Sequence, residues 1–297
     1  MKLNLAILGK TGQLAKALKQ SVETQGHSAQ FFDRKACDLN QSPEKIRAFI
    51  NTLDKPDVLV IAAAYTAVDA AENDEKTAYA VNALAPTYIA EACATRNIPL
   101  VHISTDYVFA GDASTPYPVN TAAAPINVYG ASKRAGEQGI LNTGCHAVIL
   151  RTSWVYDGYS KNFMTTMLRL AQTRTCIDVV ADQIGRPTYA GHLADAVLKA
   201  AAGLHQGQTE SQGIFHVSDT GTPISWAEFA RAIFAIAKHK LPHKIEVTNI
   251  PSTHYPTPAQ RPAYSVLDTN RFEQNFNCAL PLWNEGLKKA YAEWDAY

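Results

Sequence analysis

The stretch Leu3-Asn4-Leu5-Ala6-Ile7-Leu8-Gly9-Lys10-Thr11-Gly12-Gln13-Leu14-Ala15 decides the fold of this chain. Leu3 to Leu8 is a nearly continuous apolar run of strand length, and Gly12 to Thr24 carries apolar residues at helical spacing. At the junction, Gly9 and Gly12 predict a strand-to-helix turn. Backbone N–H groups in such a turn can approach a pyrophosphate, and the helix N-terminus adds favourable partial charge. Ala15 is small enough to let the helix lie close on the strand. The spacing is GxxGxxA rather than GxGxxG. A P-loop ending in Gly9-Lys10-Thr11 needs its first glycine where the chain has Asn4, so that reading is rejected.

Further strands are predicted at Ala29–Phe32, Val58–Ala62, Leu100–Ser104 and Ala147–Leu150. Helical patterns rich in Ala, Leu, Lys and Glu lie between them, at Glu44–Leu53, Asp74–Arg96 and Tyr129–Leu141. Nearly unbroken apolar strands alternating with helices imply a sheet covered on both faces. The expected fold is a doubly wound parallel (Rossmann) α/β sheet. After about Arg151, prolines and aromatics scatter, and helix-like pieces (Asn162–Gln172, His192–Ala202, Ser225–Lys238) alternate with loops. The expected division is therefore a dinucleotide-binding domain over 1–155 and a smaller C-terminal α/β substrate lobe over 156–297, some segments of which return to the sheet.

The 297 residues suffice for a sizeable core, and 46% hydrophobic against 18% charged content excludes a charge-driven disordered chain. With 27 basic and 27 acidic side chains and a pI near 7.1, nothing marks a nucleic-acid or anionic-membrane partner. No segment reaches bilayer-spanning length, and the N-terminus shows no signal-peptide core. Five dispersed cysteines without a CxxC pair suit reduced thiols, so a cytoplasmic setting is expected.

Asp33 closes the second strand where a carboxylate takes adenosine ribose hydroxyls, and Arg34 beside it suits a 2′-phosphate. Ala62-Ala63-Ala64-Tyr65-Thr66 leaves room at the third strand end for a flat cofactor. The fourth strand runs out into Ser104-Thr105-Asp106-Tyr107-Val108-Phe109, and Tyr129-Gly130-Ala131-Ser132-Lys133 opens a later helix. Tyr129 and Lys133 are one helical turn apart and share a face. An ammonium about 4 Å from a phenol, at an effective dielectric of 20, favours the phenolate by about 4 kcal/mol before desolvation. Such an attraction would bring a tyrosine toward working pH as a proton donor, with Thr105 bonding the same substrate oxygen. Each feature alone has a structural reading: chain reversal at the glycines, helix packing at the alanines, a snorkelling lysine beside Tyr129. Their order along one chain points instead to catalysis.

On these residues the chain resembles the extended short-chain dehydrogenase/reductase superfamily, marked by GxxGxxG/A and YxxxK. Within it, the chain is similar to the dTDP-4-dehydrorhamnose reductase group through Ala62–Glu72, Ser104–Phe109, Asn127–Gly130, Arg151–Tyr156, Asn162-Phe163 and Tyr255–Pro262. The resemblance implies reduction of the 4-keto group of dTDP-4-dehydro-β-L-rhamnose by NADPH or NADH, in dTDP-rhamnose and cell-surface polysaccharide biosynthesis. It makes Tyr129 the proton donor, with Lys133 tuning it and holding the nicotinamide ribose. Thr105 and Asp106 bind the sugar and Trp154 packs on it, unless Trp154 is an ordinary core aromatic. Gly9, Gly12, Gln13, Leu14, Asp33, Asp38, Leu39, Ala64, Tyr65 and Thr66 line the coenzyme. Arg261 suits the diphosphate bidentately, or a surface salt bridge.

Some members of the group bind magnesium at a dimer interface through acidic residues, but the matching positions are Ala17 and Gly191. The expectation is a monomer or weak homodimer without a bridging metal. His239 and His243, beside Pro242 and lysines, read as a solvated segment. Two rivals remain at this point. A nucleotide-sugar dehydratase or epimerase is disfavoured because Tyr107 stands where dehydratases carry a glutamate. A non-catalytic NADP-binding regulatory subunit is disfavoured by the complete Thr105, Tyr129 and Lys133 set.

Overall fold

In the computed structural model, residues 1–295 are described; positions 296–297, the end of the expected second lobe, lie outside them. The chain opens with β1 (Asn4–Leu8), α1 (Gln13–Thr24), β2 (Ser28–Phe32), α2 (Pro43–Thr52), β3 (Val58–Ile61) and α3 (Val68–Ala71). It continues through α4 (Glu75–Tyr79), a π-helical turn (Ala80–Leu84), α5 (Ala85–Arg96), β4 (Leu100–Thr105), a 3₁₀ turn (Asp106–Val108), α6 (Val128–Asn142) and β5 (Ala147–Thr152). After these come β6 (Val155–Tyr156), α7 (Phe163–Leu170), β7 (Cys176–Val180), β8 (Ile184–Gly185), β9 (Thr188–Tyr189), α8 (Ala190–His205) and β10 (Gly213–His216). The last elements are β11 (Ile224–Ser225), α9 (Trp226–Ala237), β12 (Glu246–Ile250), α10 (Asn270–Phe276) and α11 (Trp283–Asp295).

Among the described residues, six strands form one parallel sheet in the order β2-β1-β3-β4-β5-β10. The expected doubly wound Rossmann sheet is thus observed. β2 lies on one side of β1 and β3 on the other, so the winding reverses between β1 and β3 and opens a crevice at their carboxyl ends. Alternation along β1 separates the two cores: Leu5 and Ile7 join the cluster under α1 and α8, while Ala6 and Leu8 join the one under α2 and α5.

α8 and β10 come from beyond residue 155, yet both belong to the sheet body: α8 packs beside α1, and β10 pairs with β5. A third core gathers α7, α9 and α11 with the parallel β7–β12 ribbon around Tyr156, Met164, Phe229 and Leu287. This lobe overhangs the strand ends.

The predicted helix Asp74–Arg96 changes pitch at Ala80–Leu84. Pro86 is the cause: it lacks the N–H that would bond the Asn82 carbonyl four residues back, and its ring crowds that carbonyl. The freed oxygen points at α6, where a Cβ on Gly136 would overlap it, so glycine is required there.

Candidate active site

A cleft of about 1140 Å³ lies along the carboxyl ends of β1, β3 and β4 and under the second lobe. Gly9, Gly12, Gln13, Leu14, Asp33, Arg34, Asp38, Leu39, Ala64, Tyr65, Thr66, Thr105, Asp106, Tyr129, Lys133 and Trp154 all line it. Residues from Gly9 to Trp154 are brought to one rim.

At the dinucleotide end, Gly9 has φ +129°, and a Cβ would stand 3.2 Å from the Ala62 carbonyl carbon. Only glycine fits there. Gly12 is the N-cap of α1, makes no side-chain cap and has open space where a Cβ would be. The N-terminal N–H groups of α1 therefore face the cleft without a carboxylate to satisfy them, a donor set that suits a phosphate. Asp33 accepts from the Lys35 and Ala36 backbone at 3.0 and 3.1 Å, which shapes the turn after β2. The Arg34 guanidinium lies 3.1 Å from Asp38 with its side chain 77% exposed. Such a pair is weak enough to yield to a phosphate. These residues fit a nicotinamide dinucleotide.

Tyr65 is held from behind. The buried Asn82 amide accepts from Tyr65 N at 2.9 Å and donates to Tyr65 O at 3.0 Å and to Ser132 Oγ at 3.1 Å. Nothing in the local pattern distinguishes Asn82 from a surface residue; only Pro86, four positions on, signals that the helix must deform there.

At the chemical end, Asn127 caps α6 by accepting from Gly130 N at 2.7 Å and ties down the late chain by donating to Gln260 O at 2.8 Å. Gly130 rests on the Tyr107 carbonyl, which a Cβ would overlap. The start of α6 is thereby seated against the end of β4, which sets Tyr129 beside Thr105. The Tyr129 phenol and the Thr105 hydroxyl face each other. Thr105 Oγ1 also donates to Asp106 Oδ1 at 3.1 Å.

The expected lowering of the Tyr129 phenol by Lys133 is not observed. Burial pushes the phenol up to about 12, the Thr105 hydroxyl opposes that rise, and Asp106 adds to it. Lys133 Nζ instead donates to the Ile103 carbonyl at 2.6 Å and meets His102 Nε2 at 3.2 Å. In a buried site the strand carbonyl satisfies the ammonium better than a neutral phenol does. Burial lowers Lys133 to about 8 against the pull of Glu137, and it holds His102 well below its usual range. His102 was not singled out in the sequence.

Two other expected site residues have partners within the protein. Arg261 is not part of the cleft lining: its guanidinium pairs with Asp69 at 2.8 Å and donates to the Ala259 carbonyl at 2.9 Å. This contact is the salt bridge given as the alternative, with one nitrogen on the carboxylate and the other on a backbone carbonyl. Trp154 lines the cleft, so it is not an ordinary core aromatic. It adopts φ +48° and stacks on Trp226, with centroids 3.4 Å apart and planes 5° from parallel. Trp226, which opens α9, is the partner the sequence did not reveal. Of the histidine pair, His243 Nε2 lies 2.8 Å from the Arg174 carbonyl, and no group of three His, Cys, Asp or Glu able to hold a metal occurs among the described residues. No helix among them is long and apolar enough to cross a membrane.

A doubly wound sheet with a glycine turn at its first strand and a Tyr-x-x-x-Lys helix over the same rim defines a short-chain dehydrogenase/reductase type of dinucleotide-binding protein. More narrowly, the chain belongs to the family described as RmlD substrate binding domain, whose model matches residues 2–296. It is 40% identical over 292 residues to a Sinorhizobium fredii protein, covering 97% of this chain and 96% of that one. It is 41% identical over 295 residues to one from Aggregatibacter actinomycetemcomitans, covering 97% and 99%. Both are named dTDP-4-dehydrorhamnose reductase. The crystal structure of dTDP-4-dehydrorhamnose reductase from Bacillus anthracis in complex with NADP superposes with a TM-score of 0.90 at 38% identity, covering 99% of this chain and 100% of that one.

Proposed function

We propose that this chain reduces the 4-keto group of dTDP-4-dehydro-β-L-rhamnose to give dTDP-β-L-rhamnose, using NADPH or NADH. The observation that carries the reading is the placing of Tyr129 beside Thr105, with Lys133, in one cleft whose other end fits a dinucleotide. Bound there, the coenzyme supplies a hydride to the sugar carbonyl carbon. Tyr129 gives its phenolic proton to the carbonyl oxygen while Thr105 holds that oxygen by its hydroxyl. Lys133, released from Ile103, reaches the nicotinamide ribose. Asp106 binds the sugar, and the Trp154–Trp226 stack forms a flat apolar wall beside it. Gln13, Leu14, Asp38, Leu39 and Tyr65, which line the same cleft, would hold the coenzyme. Asp33 accepts ribose hydroxyls and Arg34 turns to a 2′-phosphate, so both coenzymes are used. The protein works in the cytoplasm as a monomer or weak homodimer without a bridging metal.

The test is NAD(P)H oxidation with the 4-keto sugar nucleotide prepared fresh from dTDP-glucose. Stoichiometric consumption of NADPH or NADH is expected. Tightly held coenzyme with no net consumption would replace this reading with an epimerase, and absence of any turnover would replace it with a regulatory binding protein.

A further inference from the structure

Asp106 sits at the innermost end of a line of three oxygens. Its side chain is 2% exposed at the start of the 3₁₀ turn that follows β4. Oδ1 takes the Thr105 hydroxyl, whose oxygen also accepts from Tyr107 N at 3.2 Å and faces the Tyr129 phenol. Oδ2 is buried with no hydrogen-bond partner among the described residues; Ser265 faces the carboxyl without completing a bond to that oxygen. Sugar binding alone does not explain why a carboxyl oxygen is enclosed and left unpartnered, since an ionised group in that state carries a large desolvation cost. A carboxyl that holds a proton removes the cost.

We propose that Asp106 reprotonates Tyr129 through the Thr105 hydroxyl after each reduction, an inference that rests on the reductase reading. In the chemical step the sugar carbonyl carbon gains a hydride from NAD(P)H, and its oxygen gains the Tyr129 proton, leaving a phenolate. The phenolate oxygen then takes the Thr105 hydroxyl proton as Thr105 Oγ1 takes the Asp106 carboxyl proton. Thr105 ends unchanged, Tyr129 is again a phenol and Asp106 is a carboxylate. Water returns the proton to Asp106 once product leaves. Asp106 acts through Thr105 in this role, which makes it a positioning group for the proton rather than one that touches the reacting carbon.

Burial raises the Asp106 carboxyl to about 7, opposed by the Thr105 hydroxyl, the nearby Ser265 and the backbone. The titratable groups facing it are Tyr107 on its own turn and Tyr129 on α6; Arg261 and Asp69 reach the neighbouring Tyr107 ring. The relay needs the protonated form, so turnover falls as pH rises through about 7.

Wild type, Asp106→Asn, Thr105→Val and Thr105→Ser are compared by kcat and KM against pH with the 4-keto sugar nucleotide and NADPH. Asp106→Asn and Thr105→Val are expected to lower kcat by about 10- to 100-fold and to lose the limb near neutrality, with the NADPH KM within about twofold of wild type. Thr105→Ser keeps a hydroxyl and is expected to keep the limb. Infrared titration of the coenzyme-free protein supplies a readout besides turnover: a protonated carboxyl band that vanishes as pH rises through about 7 in wild type and Thr105→Val, and that is missing from Asp106→Asn. The limb surviving in Asp106→Asn or Thr105→Val, or no such band in wild type, overturns the relay while leaving the reductase reading intact. Wild-type protein that consumes no coenzyme overturns both.

Discussion

Two charges are buried one turn apart on α6, and the protein treats them in opposite ways. Glu137 is fully enclosed and fully answered: Arg151 reaches it at 2.7 Å, Arg134 at 2.9 Å and Ser104 Oγ at 2.6 Å. Lys133 is 2% exposed, yet no carboxylate bonds it; it rests on a strand carbonyl and a neutral imidazole. The consequences appear in their titration. Glu137 is held below its usual range by the partners that outweigh its burial, whereas Lys133 is drawn down to about 8 because burial prevails. A paired charge braces α6 against β5 and β4. An unpaired one is a store of destabilisation kept at the rim for a ligand to use.

The largest effect should come from the reactive end. Tyr129→Phe removes the proton donor and is expected to reduce kcat about 10²- to 10⁴-fold, with coenzyme affinity measured by fluorescence titration nearly unchanged. Wild-type turnover in this variant would remove Tyr129 from the chemistry.

Next is the braced end. Glu137→Ala strands the 2%-exposed Arg151 without a counter-ion, and a loss of about 3–5 kcal/mol in denaturant unfolding is expected. Should it cost no more than an exposed pair, below about 1 kcal/mol, the contrast between the two charges collapses.

Lys133→Met reverses the sign. Below about 8 the folded state bears a cation it would rather release, so an apolar side chain of similar length should stabilise the coenzyme-free protein by about 1–3 kcal/mol at pH 7 while abolishing most turnover. The linkage fixes the window. The unfolded lysine holds its proton up to 10.5, so wild-type stability rises between about 8 and 10.5, and the variant should lack that rise.

Much of this was readable in the sequence, because each legible feature is a local pattern. Five sheet strands are short apolar runs, and the coenzyme rim follows from where glycines and alanines sit at strand ends. β10 was missed as a strand: Gly213–His216 is four residues long and follows a helix that itself crosses back to the sheet. The glycine spacing did not reveal that the winding reverses at β1, since strand order is set by pairings distant in sequence. The Tyr-Lys spacing correctly put both side chains on one face, but one face is not one contact. Where an ammonium goes in a buried site depends on which acceptors the neighbouring strand presents, and Ile103 and His102 are apolar-strand positions until β4 is seen beside α6. Arg261 was read by its chemistry alone, without Asp69, which is 192 residues away in sequence and 2.8 Å away in space. Trp226 likewise has no signature beyond a capping-box serine before it.

The gentlest probe of the comparison is acid. His216 Nε2 lies 3.4 Å from Arg151, and its Nδ1 lies 3.0 Å from the Tyr117 carbonyl; burial and then the Arg151 charge lower it from 6.5 to about 3. The imidazole is neutral in the folded protein and gains a proton on unfolding below 6.5, so its contribution is present above that pH and drains away as pH falls toward about 3. Glu137, depressed rather than raised, gives stability that persists until pH passes below the ordinary carboxylate range. Between pH 6.5 and 5 the two are therefore separable: the carboxylate is intact, and the histidines take up protons only on unfolding. Unfolding free energy should drop there by up to about 1.4 kcal/mol per pH unit for each such histidine, and His216→Asn should flatten the slope by one histidine's share even if it lowers stability throughout. His102→Asn should flatten it by a second share, since that ring is also held neutral by burial and by Lys133. An unchanged slope in both variants would mean that the braced end of α6 is not kept dry and neutral around its ion pair, and that Glu137 and Lys133 differ in partners but not in environment.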